Sequence, residues 1–376
     1  MGALAAGFAT TALLWAELSP FSGIWGYFLV SWGLSLFYFV LLLSFDHNRA
    51  AVRDRLAWAV MWSLALLVLA LLVFIVGYTF YTGWPALHRL NFYTQDMHST
   101  QPTDPLSKGG ALHAIIGTLI ELVIAMAIAV PLGLLAAVFL NEVPGKLNRL
   151  VRLVVDAMTA LPDVLAGLFI YATLILIFGL GQSGLAAACA LAVTAISIVC
   201  RAAYVVLRLV PGGLTEASYA LGSGHWRTVW RVTLPTARSG LATAVSLGAA
   251  RAIGETAPVL LTSGYTNFIN LDPVHNPMTS LPLMAYTMVN TPEKPAIYRG
   301  FAAASVLLVV FFLLVLLVRM VGGRAAGHVS RGQLRRRLAA SRRDLSRITR
   351  QSATPRSAVD AAAGYSPADT PSRRRP

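Results

Sequence analysis

Apolar runs recur along this chain at close to the length that crosses a bilayer, separated by short segments that carry arginine. At about 20 apolar residues per crossing helix, the strongest are Phe21–Phe45, Leu56–Phe80, Leu112–Leu140, Ala157–Leu180, Leu185–Leu207, Leu241–Thr262 and Phe301–Val318. Residues 2–16 form a shorter, alanine-rich eighth stretch ending at Glu17 and Pro20, which fits either a span or a helix lying against the membrane. The pattern predicts an all-α, polytopic transmembrane helical bundle with seven to eight spans. Pro131 is expected to interrupt the third span and Pro162 to open the fourth at Leu161-Pro162-Asp163, with Asp163 capping a helix N-terminus.

The basic residues between spans set the orientation, because cytoplasmic loops collect Lys and Arg. Arg49, Arg53 and Arg55 lie in one connection, Lys146, Arg149 and Arg152 in the next, and Arg208, Arg227, Arg231 and Arg238 in a third. Alternating the spans places all three inside, together with the C-terminal tail. The loops Tyr81–Gly110 and Ser263–Gly300, poorer in basic residues, then fall outside.

Composition agrees with a lipid solvent: 56% of residues are hydrophobic, 12% are charged and the mean hydropathy is +0.66. The net charge of +14 changes the picture only at the C-terminus. From Gly322 onward there are 13 Arg, 3 Asp and neither Lys nor Glu, so the tail carries +10 and the other 321 residues only +4. A basic, Ser/Pro-rich tail after an apolar span reads as a disordered cytoplasmic segment facing anionic lipid, not as a nucleic-acid interface. Cys189 and Cys200 sit in apolar sequence without ligand spacing, and His113 and His225 have no partners at metal spacing, so no metal site is expected.

The third basic connection carries the most specific pattern. Pro211-Gly212-Gly213 stops a span, Thr215 is placed to cap a short helix, and Gly222 can supply the positive φ that ends it. A second short helix then puts Trp226, Val229 and Trp230 on one face and Arg227 and Arg231 on the other, before Pro235 marks the return to the membrane. Such an amphipathic hairpin can lie on lipid or dock on a soluble partner.

The run Glu216-Ala217-Ser218, then Gly222, then Val232-Thr233-Leu234-Pro235 resembles the EAA loop of ABC importer permeases, with Ser218 for the second alanine and Val232 for isoleucine. The resemblance implies a MetI-like, type I importer permease in which Glu216, Ala217, Ser218, Gly222, Leu234 and Pro235 shape the element that inserts into an ATPase subunit. The chain itself has three lysines, none in a GxxxxGK[ST] loop, so hydrolysis is expected on a separate chain.

A second run, Ala249 to Pro258 (AARAIGETAP), places Arg251 and Glu255 one helical turn apart within an apolar span. Charges at that depth cost roughly 2.5–3.5 kcal/mol on insertion scales, so they fit either a buried pair holding helices together or a wet path. Arg201 is a second intramembrane cation, placed either to snorkel to the interface or to join such a path. Two guanidinium forks match the oxygens of an oxyanion, and Glu255 could compete for them and prevent trapping. Glu121 lies in the third span, as compatible with a helix neighbour as with substrate.

The ETAP run resembles phosphate-specific permeases of the PstA type, over roughly Leu56 to Val321. That resemblance implies inorganic phosphate as cargo and a path through Arg201, Arg251 and Glu255. It also implies a PstC-type permease partner, two ATP-binding subunits that carry ATP and Mg, an extracytoplasmic phosphate-binding protein, and no cofactor on this chain. The expected organisation is additional N-terminal helices over 1–50, a first core span and external loop over 51–110, a MetI-like domain over 111–321 with the coupling loop at 211–236, and the tail over 322–376. The expected location is the bacterial cytoplasmic membrane, multi-pass, with the C-terminus inside. Rival readings are a permease for molybdate, sulfate or phosphonate and an ion-coupled secondary transporter. The latter would show inverted repeats, which are not evident.

Overall fold

The computed structural model describes residues 2–17, 24–46 and 48–322, with 339 and 341 beyond them; the expectations for the basic tail lie outside the described residues. Among the described residues the chain is helical, without strands. In chain order the helices are α1 (Gly2–Glu17), α2 (Ile24–Asp46), α3 (Arg49–Leu87), α4 (Asn91–Thr94), α5 (Leu112–Glu142), α6 (Lys146–Ala160) and α7 (Asp163–Ile170). They continue as α8 (Gly184–Arg208), α9 (Gly212–Ala220), α10 (His225–Thr228), α11 (Leu234–Gly254), α12 (Ala257–Thr262), α13 (Leu281–Val289) and α14 (Lys294–Gly322).

Among the described residues five helices are long and apolar enough to cross a membrane: Gly26–Phe45, Arg49–Leu87, Leu112–Glu142, Gly184–Arg208 and Lys294–Met320. The first of the others, Gly2–Trp15, is a shorter apolar helix. Two predicted spans are built differently from the continuous helices that the hydropathy suggests. Ala157–Leu180 is cut at Leu161, which is extended (φ −69°, ψ 132°) because the ring of Pro162 disfavours a helical residue before it. The pieces Lys146–Ala160 and Asp163–Ile177 together would make one further, broken crossing. Pro162 occupies the cap position and Asp163 is the first helical residue, so its carboxylate favours the helix N-terminus through the dipole, not through a side-chain cap. Leu241–Thr262 is likewise divided, into the end of α11 and α12, with Glu255 and Thr256 between them. Pro131, by contrast, sits inside an unbroken α5. The predicted span Leu56–Phe80 is the middle of α3, whose 39 residues reach about 58 Å at 1.5 Å per residue, longer than a bilayer core of about 30 Å.

The chain sorts into two compact units. The first comprises Met1–Ala125, Pro162–Leu191 and Ala252–Phe312. Its core gathers Phe92, Met97, Leu281, Met284, Ala302 and Val306. Arg299, 1% exposed, ties the loop after α4 by donating from Nη2 to the carbonyls of Asp104, Pro105 and Lys108 at 3.0–3.1 Å. Close approach here depends on missing side chains: a Cβ on Gly167 of α7 would lie 2.6 Å from the Cα of Pro258 in α12.

The second unit comprises Met126–Leu161, Ala192–Arg251 and, among the described residues that follow, the end of α14 from Leu313. Ala137, Val155, Cys200, Ala203, Ala237 and Ala244 form its core. Small residues let the backbones come together where no hydrophobic force separates protein from lipid tails. Cys200 is one of these buried small residues, as its apolar sequence predicts.

Candidate docking hairpin and candidate path residues

The hairpin is built by local punctuation. After α8 the backbone tightens, with the N–H of Leu209 and of Val210 bonded three residues back, and Pro211 turns extended (φ −61°, ψ 127°). The first short helix starts at Gly212, so Thr215 lies inside it and donates to the Gly212 carbonyl at 2.7 Å instead of capping. Gly222 adopts φ 81° as predicted. Its N–H reaches the Tyr219 carbonyl at 2.9 Å and that of Ser223 reaches Ser218 at 3.1 Å, the paired bonds of a Schellman ending.

The second limb is not a separate helix. From α10 the chain passes through a π-helical stretch, Val229–Thr233, directly into α11. The wider turn precedes Pro235, which has no N–H to give, and so absorbs the proline without a break. Ser218 Oγ and Thr228 Oγ1 join the limbs at 2.9 Å. Tyr219 OH meets His225 Nδ1 at 3.0 Å, and His225 Nε2 faces Glu142 Oε2 at 3.4 Å. Val229 is buried, while Trp226 and Trp230 line an apolar groove of about 770 Å³ with Leu134, Leu135, Leu147 and Val151. Glu216, Ala217 and Gly222 remain exposed, and Ser218 is half-buried against Thr228.

Of the residues the sequence suggested for a path, Arg201 and Arg251 are exposed on the single chain and Glu255 is half-buried. Arg201 Nη2 donates to Asp156 Oδ1 at 2.6 Å, both side chains about half exposed at 52% and 54%. Sequence reasoning did not single out Asp156, whose only signal is its place on the polar stripe of amphipathic α6. A guanidinium has five N–H donors, so this bond leaves further donors for an oxyanion. Beside it, Arg152 Nη2 donates to Tyr204 OH at 2.9 Å, and the guanidinium carbons of Arg152 and Arg208 lie 5.1 and 5.7 Å from the ring centre. Glu255 falls at the break between α11 and α12 and lines a small cavity with Glu121, Thr118, Ser280 and Val259. The sequence raised Glu121 without assigning it; its place in that cavity depends on folding.

Residues 129–326 match the family described as binding-protein-dependent transport system inner membrane component. The phosphate transport system permease protein PstA 1 of Mycobacterium tuberculosis (strain H37Rv) is 36% identical over 274 residues, covering 73% of this chain and 88% of that protein. The PstA proteins of Mycobacterium leprae and Yersinia pestis are 36% and 35% identical, covering 70% and 58% of this chain and 86% and 74% of those proteins. Among solved structures, a chain of the inward-facing MetNI methionine ABC transporter is 24% identical over 57% of this chain and 91% of that one, with a TM-score of 0.42. The chain is thus an inner membrane component of a binding-protein-dependent transport system. Within that family it belongs with the PstA-type permeases.

Proposed function

We propose that this chain is the membrane-spanning subunit of an ATP-driven importer and that its cargo is inorganic phosphate. The observation that carries the reading is the Schellman-ended hairpin, which holds Glu216 and Ala217 exposed at the end of α8. The phosphate transport named in the relatives supports the cargo. Arg201, Arg251 and Glu255 line the path in this reading. The two guanidiniums attract the anion, and Glu255 competes for them so that the anion leaves. Glu216, Ala217, Ser218 and Gly222 present the docking face for a separate ATPase, and Leu234 and Pro235 join that face to α11. A PstC-type subunit supplies the second wall of the path, and an extracytoplasmic binding protein delivers the anion. The chain carries out no covalent step, and its C-terminus faces the ATPase side.

The test is phosphate uptake by proteoliposomes holding this chain with its co-purifying subunits, comparing wild type with Arg251→Ala. Uptake that needs ATP and collapses in the variant, with assembly intact, supports cargo and path together. Uptake unchanged by the variant makes Arg251 a structural residue, and competition by molybdate or sulfate at equal concentration would reassign the cargo.

A further inference from the structure

The apolar groove beside Trp226 and Trp230 has no part in the transport reading. It is lined by α5 from Pro131 to Phe139, by Leu147 and Val151 of α6, and by the two tryptophans of the hairpin. Asn148 fixes the junction of α5 with α6. Its Nδ2 donates to the carbonyls of Leu140 and Val143 at 3.0 and 2.8 Å, which satisfies the end of α5 and holds α6 against it. All of these residues belong to the second unit. Trp226 and Trp230 are 54% and 64% exposed, so the lining is open on the single chain.

Length and charge together say what covers it. From Phe139 back to Pro131 the α5 lining runs about 12 Å at 1.5 Å per residue, most of one leaflet of a hydrocarbon core of about 30 Å. The polar end is the one at Phe139, where α5 leaves its apolar run at Asn141 and Glu142. Tryptophan is itself a residue of the membrane–water interface. Lys146 directly precedes Leu147, Arg149 lies between Leu147 and Val151, and Arg227 and Arg231 directly follow the two tryptophans; all four side chains are exposed. Among the described residues none of the four is in a salt bridge. The remaining charges of α6 and of the α5 end are committed elsewhere: Arg152 donates to Tyr204, Asp156 accepts from Arg201, and Glu142 faces His225. Four cations therefore surround an apolar channel without a counter-charge. An apolar segment of a partner protein would fill the channel and leave them so, whereas basic pockets beside membrane helices hold anionic headgroups.

We propose that one anionic phospholipid occupies this groove, with an acyl chain between the two tryptophans and α5 and its headgroup at Lys146, Arg149, Arg227 and Arg231. The lipid supports the second limb of the hairpin and leaves the limb with Glu216 free for the ATPase.

The experiment uses the full chain reconstituted with its co-purifying subunits and reads tryptophan emission. The difference between wild type and Trp226→Phe/Trp230→Phe isolates the groove pair from the other tryptophans. Phosphatidylglycerol with brominated acyl chains should quench that component at a lower mole fraction than brominated phosphatidylcholine. Arg227→Gln/Arg231→Gln and, on a separate helix, Lys146→Gln/Arg149→Gln should each lower this preference by roughly fivefold or more, the effect of one cation near an anionic surface. Equal quenching by the two lipids would mark an ordinary lipid-facing surface, and no quenching by either would mark a protein covering the groove. Both outcomes overturn the proposal, as does a preference that neither charge pair changes. Neither phosphate nor ATP enters the measurement, so the lipid site and the cargo reading fail separately.

Discussion

Gly222 gives the sharpest test of the hairpin, because its backbone and its surroundings make separate predictions. The residue sits at φ 81°, and an added Cβ would find nothing within 4 Å. Alanine therefore meets no clash in this chain; it meets only the penalty for a left-handed conformation, about 1–2 kcal/mol. That penalty lowers the ratio of the closed hairpin to an opened one by roughly 5–30-fold. If the closed form is the one that docks, the apparent affinity for the ATPase falls by up to that factor, and uptake at limiting ATPase falls with it. Asn has a larger side chain but tolerates the left-handed region. Backbone control therefore predicts the order Gly, then Asn, then Ala, with Val last. The assay is ATPase binding to the reconstituted permease, with uptake measured in parallel. A partner that simply fills the space over Gly222 would rank Asn below Ala. That order would refute the argument, as would an Ala variant that binds as wild type.

Three further outcomes follow from the same geometry. Arg201 and Asp156 form a half-exposed pair, so Asp156→Asn should change stability by less than about 1 kcal/mol; a larger fall in uptake would then report on Arg201 in the path, read by thermal melting beside transport. Gly167→Ala pushes a Cβ into the Pro258 backbone and should cost about 1–3 kcal/mol by overpacking, seen as a lower melting temperature of the purified complex. In the turn before α13, the Val274 N–H and then His275 hold the Asp272 carboxyl below the usual carboxylate range. A depressed folded pKa means that the contribution is complete above the unfolded value, about 3.9, and is lost only as pH falls through the lower folded value. The protection factor of the Val274 amide, its exchange rate relative to the intrinsic rate at each pH, should thus be unchanged from pH 7 to 5 and lower in Asp272→Asn at both.

What the sequence made legible was what depends on neighbours along the chain. Gly222 and Pro211 could be placed because positive φ and a helix stop are properties of one residue. Helical spacing grouped Trp226, Val229 and Trp230; in the structure Trp226 and Trp230 line an apolar groove, while Val229 is buried. The π-helical passage through Val229–Thr233 was not legible, since nothing local distinguishes it from a short helix ended by Pro235. Span continuity failed for a related reason. Hydropathy averages over a window, so it joins Ala157 to Leu180 across a proline and Leu241 to Thr262 across Glu255 and Thr256. Pairings between distant elements, Arg201 with Asp156 and Tyr204 with Arg152, carry no trace in either partner's local sequence.

The same distinction explains why the charged residues were found while their arrangement was not. A charge in an apolar run stands out by its cost, which marked Arg201, Arg251, Glu255 and Glu121 alike. Cost alone cannot separate a residue facing a path from one sealed in a core. Exposure separates them: Arg201 and Arg251 lie open on the single chain, whereas Glu121 is sealed at 1%. An open arginine in a membrane bundle needs water or a covering surface beside it. In the proposed reading, a path walled by this chain and a second permease supplies both. Glu255, half-buried at the helix break, is intermediate in exposure between the two.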